Sequence, residues 1–174
     1  MLAKIYEKPS VADLFQRWQA LQADADAPDF CEMDEYGEIE VNPPPSFRHQ
    51  QLVANIGRQL ESQLGGECGS YALATSIGVR FPDICWAKSF IELARAGQED
   101  PLTVMPPICV EIISPGNRRK AIDAKVRAYL EAGVVEVLLI EQDGRLRWFT
   151  ANGERAESSH AITLTMPVSA KRSG

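Results

Sequence analysis

The sequence predicts an α/β domain, a mixed central β-sheet flanked by helices. Three observations carry this. Stretches 47–64 and 118–132 repeat apolar residues at helical spacing. Stretches 108–113 and 135–140 are apolar but for Glu111 and Glu136, of the length and composition of buried strands. Helices and strands follow in the order α, β, α, several β, α, β, β, with no internal repeat.

Each element has its own signal. Val11, Leu14, Phe15, Trp18 and Leu21 lie at helical spacing behind Ser10, an N-cap residue type, and predict a short docking helix. Residues 24–28 read as a linker-like break. Residues 36–41 alternate as a strand, with Ile39 and Val41 on one face and Glu38 and Glu40 on the other. Pro43-Pro44-Pro45 ends it. The long helix that follows carries Leu52, Ile56, Leu60 and Leu64 as an i, i+4 stripe and stops at Gly65-Gly66. Short strands are expected at 68–74, 75–80 and 81–87, and one or two helical turns at 89–96. A proline-containing loop fills 97–107. After strand 108–113, Ser114-Pro115-Gly116-Asn117 makes a turn into the second long helix, which Gly133 closes. Asp143-Gly144 marks a hairpin into strand 146–150, Asn152-Gly153 a further turn, and 162–166 a last edge strand.

At 174 residues, one domain with a real core is the expectation. No apolar run is long enough for a membrane span. Met1-Leu2-Ala3-Lys4 leads into a polar segment, so no signal peptide is expected. Cys31, Cys68, Cys85 and Cys109 show no CxxC spacing, which fits a reduced, cytoplasmic setting without structural zinc. The net charge of −6 is uneven: residues 1–40 hold 3 basic and 10 acidic residues, and the rest hold 15 and 14. We therefore expect an acidic arm over 1–34, a core over 35–168 and a flexible tail over 169–174. The arm reads as solvated, or as shielding a basic groove, and it keeps non-specific phosphate affinity modest.

The chemistry centres on residues 82–125. Asp83 opens one apolar strand and Glu111 lies inside another. An ionised carboxylate in an apolar interior is costly unless paired, hydrogen-bonded or metal-bound. Taken singly, Asp83 reads as a turn cap and Glu111 as a salt-bridge partner. Together, on neighbouring strands, they suit a shared hard cation, with the Ile112 carbonyl as a further oxygen. At ~100° per residue, Ile122, Val126, Tyr129 and Leu130 form the buried face of the second long helix. Lys125 flanks that face and Lys120 lies nearly opposite it. Alone, Lys125 is a snorkelling lysine; beside two acids it can orient a water or stabilise charge on phosphorus. Arg118, Arg119, Lys120 and Arg127 form either a phosphate-binding cluster or a solvated helix face.

Pro82-Asp83, the run Val110-Glu111-Ile112-Ile113-Ser114-Pro115, then Asp123, Lys125 and Tyr129, then Ala132-Gly133-Val134 resemble the Uma2 (DUF820) family, within the PD-(D/E)XK nuclease superfamily. Gly37-Glu38, Pro43-Pro44-Pro45 and His49 match the same pattern, so the resemblance runs from about residue 36 to 150. It implies a restriction-endonuclease-like core and an endonuclease dependent on Mg²⁺ (or Mn²⁺) that hydrolyses DNA. Asp83, Glu111 and Ile112 would hold the metal, Lys125 would position water, and Glu38 would be an extra acid. His49 would position Glu38 or a phosphate. The superfamily's usual lysine position, two residues after the glutamate, holds Ile113, and Lys125 on the helix takes that role. Two-stranded cleavage favours a homodimer. A catalytically idle binding or assembly module is the main rival, and hydrolysis of a small phosphorylated ligand is a third reading.

Overall fold

The computed structural model describes residues 8–116 and 118–167. The tail expected at 169–174 lies outside them, as does Asn117 of the expected turn. The elements in order are α1 (Val11–Gln22), β1 (Cys31–Met33), β2 (Ile39–Val41), α2 (Phe47–Leu64), β3 (Glu67–Gly69), β4 (Leu73–Thr75), β5 (Gly78–Arg80), β6 (Ile84–Ala87), α3 (Phe90–Ala96), β7 (Ile108–Ile112), α4 (Arg119–Ala132), β8 (Glu136–Ile140), β9 (Leu146–Thr150) and β10 (Gly153–Arg155).

The strands form two sheets. The larger is mixed, in the order β10-β9-β8-β7-β6-β3, and the smaller is antiparallel, β2-β1-β5-β4. In the larger sheet β7 and β8 are the parallel pair, joined by α4. β7 and β8 are apolar apart from the buried Glu111 and Glu136 because both faces are covered. Val110, Ile112, Leu138 and Ile140 join the core under α2, and Cys109, Val137 and Leu139 join the core under α4. Gly133 turns out of α4 at φ +115, in the left-handed region open to glycine.

The expected 68–74 strand divides: β3 edges the large sheet and β4 the small one. The stretch expected as an arm is built into the small sheet. β1, unforeseen, pairs with β2 and β5, and Trp18 of α1 is fully buried with Leu14, Met33, Ala72 and Val79. Its indole N–H donates to Asp100 Oδ1 at 2.9 Å. At Gly78 (φ +103) a Cβ would meet the Met33 carbonyl oxygen at 2.0 Å, so this close approach of β5 to β1 requires glycine.

The expected last strand, 162–166, forms no ladder. Ile162 and Leu164 do turn into the core beneath α2, as alternation requires. The backbone, however, is held by side chains of α2. Gln59 donates to Thr165 O and accepts from Thr165 N–H, while Gln63 does the same for Thr163, at 2.8–3.0 Å. Two amides one helical turn apart thus stand in for a neighbouring strand. The double change Gln59→Ala and Gln63→Ala is expected to cost about 2 kcal/mol in urea unfolding. It should also speed amide exchange at Thr163 and Thr165.

Candidate active site

The segment from Arg80 to Asp83 passes from β5 of the small sheet to β6 of the large one. At this junction both sheets, α2 and α4 contribute polar side chains. Asp83 sits one residue before the Ile84–Val110 pair, and Glu111 one residue after it, so the two acids are neighbours across β6 and β7. Asp83 is held at both oxygens: Oδ1 by His49 Nε2 at 2.9 Å and Oδ2 by the Ile112 N–H at 2.6 Å. Ile112, expected to offer its carbonyl to a cation, meets Asp83 through its amide. His49 stands in the first turn of α2, its own amide bonded to the Ser46 cap, so Asp83 rather than Glu38 is its partner.

Glu111 is buried on β7. Its Oε1 accepts from Tyr129 Oη at 2.7 Å and lies 3.7 Å from Lys125 Nζ. Lys125 and Tyr129, four residues apart, stack on one stripe of α4 and reach the same carboxylate. Burial pushes the Glu111 carboxyl up to about 7; Asp83 adds to the rise, and Lys125 and Tyr129 oppose it. The Tyr129 hydroxyl is pushed well above its usual value by burial and by Glu111.

The residue that the sequence reading missed is Glu32. It is buried on β1, where Oε1 accepts from Lys125 Nζ and from the Phe81 N–H, both at 2.8 Å. Its Oε2 lies 3.3 Å from the buried Arg80 guanidinium, which also pairs with Glu40. Burial alone would raise the Glu32 pKa, but Lys125, the Phe81 amide and Arg80 outweigh it and hold the carboxyl below its usual value. Burial likewise works against the Lys125 ammonium, and Glu111 and Glu32 outweigh it, so its pKa is raised. The available signal was an acid between Cys31 and Met33, the same pattern as Glu111 between Val110 and Ile112. A three-residue strand is too short for periodicity to reveal, and the surrounding acids disguised it.

The structure thus brings Asp83, Glu111 and Lys125 together and adds His49, Tyr129 and Glu32. Glu38 stays apart: it is exposed before β2, with its backbone amide on Asp34 Oδ1. Of the expected basic cluster, one arginine is taken up by acids elsewhere. Arg119 pairs with Asp123 and Glu141, and Arg127 lines a separate cavity of about 490 Å³ between α4, β9 and β10. Lys120 is exposed.

A family model named Uma2, described as "Putative restriction endonuclease", matches residues 13–169. The chain belongs to the Uma2 family. Among solved structures the Uma2 chain is similar to one titled as a "putative nuclease belonging to DUF820" from Anabaena variabilis. The two are 15% identical, with a TM-score of 0.53, over 72% of this chain and 74% of that one. That likeness shows a shared fold. No curated protein matches the chain. The family supports a nuclease, a hydrolase that meets nucleic acid. Among the described residues no helix is long and apolar enough to cross a membrane.

The Uma2 site fits a hard divalent ion in one particular way. Among the described residues, no three or more His, Cys, Asp and Glu side chains form a group able to hold a metal. The available donors are two neighbouring carboxylates. Mg²⁺ suits such a pair, since it takes one or two carboxylates and keeps several waters. Tyr129 and Lys125 both meet Glu111 at Oε1 rather than Oε2.

Proposed function

We propose that this protein is a Mg²⁺- or Mn²⁺-dependent endonuclease that hydrolyses phosphodiester bonds in DNA. The reading is carried by the convergence of Asp83, Glu111 and Lys125, from three separate elements, on the junction between the sheets. Asp83 and Glu111 would hold the ion. When bound, it polarises the scissile phosphate and lowers the pKa of a coordinated water. The chain's own residues do the rest. His49 and the Ile112 amide fix the Asp83 carboxylate, and Tyr129 fixes Glu111. Lys125 orients the attacking water and stabilises negative charge gathering on the phosphate. Glu32 holds the Lys125 ammonium beside Glu111. The water oxygen would bond to phosphorus as the P–O bond to the sugar oxygen opposite it breaks; the water's proton would pass to solvent, and the leaving oxygen would take one from solvent. A homodimer working in the cytoplasm would supply one such site per strand.

Plasmid cleavage in Mg²⁺ and in Mn²⁺ tests this. Asp83→Ala and Lys125→Ala are each expected to lower the rate by about 10²-fold or more. Absence of cleavage by wild-type protein with any divalent ion would favour the binding-module reading. That alternative draws on one observation: Asp83 and Lys125 are already engaged by protein groups. Activity on a nucleotide but not on plasmid would point instead to a small phosphorylated substrate.

A further inference from the structure

β2 is a free edge. It ends the small sheet, and among the described residues no strand lies beyond it. The Asn42 N–H donates to Phe30 O, and the Asp34 N–H to Glu38 O. In an antiparallel pair such bonded positions alternate with non-bonded ones. The even-numbered residues of β2 therefore bond inward to β1. The N–H and C=O groups of Ile39 and Val41 point outward.

This edge is apolar as well as open. Val41 is 65% exposed and Ile39 38% exposed, and Phe30, Tyr36 and Phe47 are exposed nearby. Five of the nine large apolar side chains exposed among the described residues thus fall between positions 30 and 47. Natural sheets usually protect an edge with lysine, proline or a covering element; Pro43-Pro44-Pro45 closes one end of this one, and Ile39 and Val41 stay exposed on it. The chain here is mostly acidic, although Arg80 pairs with Glu32 and Glu40 and Arg17 bonds the Tyr36 carbonyl. Residues 24–40 contain eight acidic residues and no lysine, arginine or histidine. Ile39 and Val41 share the sheet face of Cys31 and Met33, while Glu38 and Glu40 share the opposite face with Glu32.

We propose that β2 docks an extended basic segment of another protein, added as a further strand of the small sheet. Its apolar residues would lie beside Ile39 and Val41, and its alternate lysines or arginines beside Glu38, with Glu40 already paired to Arg80. Charge selects this occupant. A nucleic-acid backbone meets a net-acidic stretch and is repelled. A second copy pairing antiparallel with its two-fold axis at Glu40 would set Glu40 opposite Glu40, a destabilising juxtaposition. The surface stands independently of the nuclease reading.

The test uses the full chain and a short synthetic peptide alternating lysine and valine, with a glutamate–valine peptide of equal length as control. The lysine peptide is expected to bind about 10-fold or more tightly than the control. It should shift the backbone NMR signals of Ile39, Glu40 and Val41, and bind less tightly as salt rises. The double change Ile39→Lys and Val41→Lys, both at exposed positions, should remove binding with little change in melting temperature. Ile91→Lys, on exposed α3, should leave binding intact. Equal binding of both peptides, or shifts confined to other residues, overturns the proposal. So does sedimentation showing wild-type self-association that the double change abolishes, or duplex DNA shifting the same signals.

Discussion

Glu111→Gln is expected to abolish metal-dependent cleavage and, in the metal-free protein at pH 8, to raise stability. The two effects share one cause. The Glu111 carboxyl sits in an apolar strand with Asp83 as its neighbour, and its pKa is pushed up to about 7 from a reference of 4.5. A carboxyl whose folded pKa lies above its unfolded one favours the protonated native state. Its contribution is fully present below about pH 4.5 and is lost as the pH rises through about 7. Above that, the buried charge is a standing cost of about 3 kcal/mol. Glutamine is neutral and nearly isosteric, and its carbonyl can still accept from the Tyr129 hydroxyl. Urea unfolding at pH 8 should therefore show a higher midpoint for the variant, with the two proteins converging near pH 5. A variant less stable than wild type at pH 8 would show that Lys125, not burial, dominates the Glu111 environment. Loss of cleavage follows because an amide is a far poorer ligand than a carboxylate for a hard cation.

Glu32→Ala should be among the most damaging single changes in the chain. One carboxylate here serves Lys125, Arg80 and the Phe81 amide. Its removal leaves two largely buried cations without their shared partner. Glu40 stays with Arg80, and Glu111 lies 3.7 Å from Lys125, so compensation is incomplete. Breaking a buried pair in this way costs about 3–5 kcal/mol, a large part of the ~5–15 kcal/mol that holds a domain together. Glu32→Gln should lose less, since the amide carbonyl still accepts from the Phe81 N–H. Thermal and urea unfolding order the three proteins. On the nuclease reading, the glutamine variant should also fold yet cleave more slowly, because Lys125 loses the contact that holds it in place.

The site was partly legible before any coordinates. Glu111 stood out because an acid flanked by Cys109, Val110, Ile112 and Ile113 demands a partner. The helical angle of Lys125 placed it on the flank of a buried face, where it lies within reach of Glu111. His49 was noticed, but its partner is set by the packing of α2 against β6, which no local pattern encodes. Glu38 and Glu32 exchanged expectations for a related reason. Both lie in one acidic stretch, and which of them is buried depends on β1 being an inner strand, between β2 and β5.

Composition and periodicity by themselves determined the helices α1, α2 and α4, the doubly covered strands β7 and β8, and the presence of two acids in apolar surroundings. These are local properties: a 3.6-residue stripe or a near-continuous apolar run dictates which face is buried, whatever lies opposite. The tertiary structure alone decided that the strands divide into two sheets, that 8–34 belongs to the fold, that glutamine amides replace a strand partner at 162–166, and that Glu32 closes the charge network around Lys125. Each of those depends on contacts between residues far apart in the chain, where the free energy of burying a charge is set by which partner arrives, and a single sequence does not state that pairing.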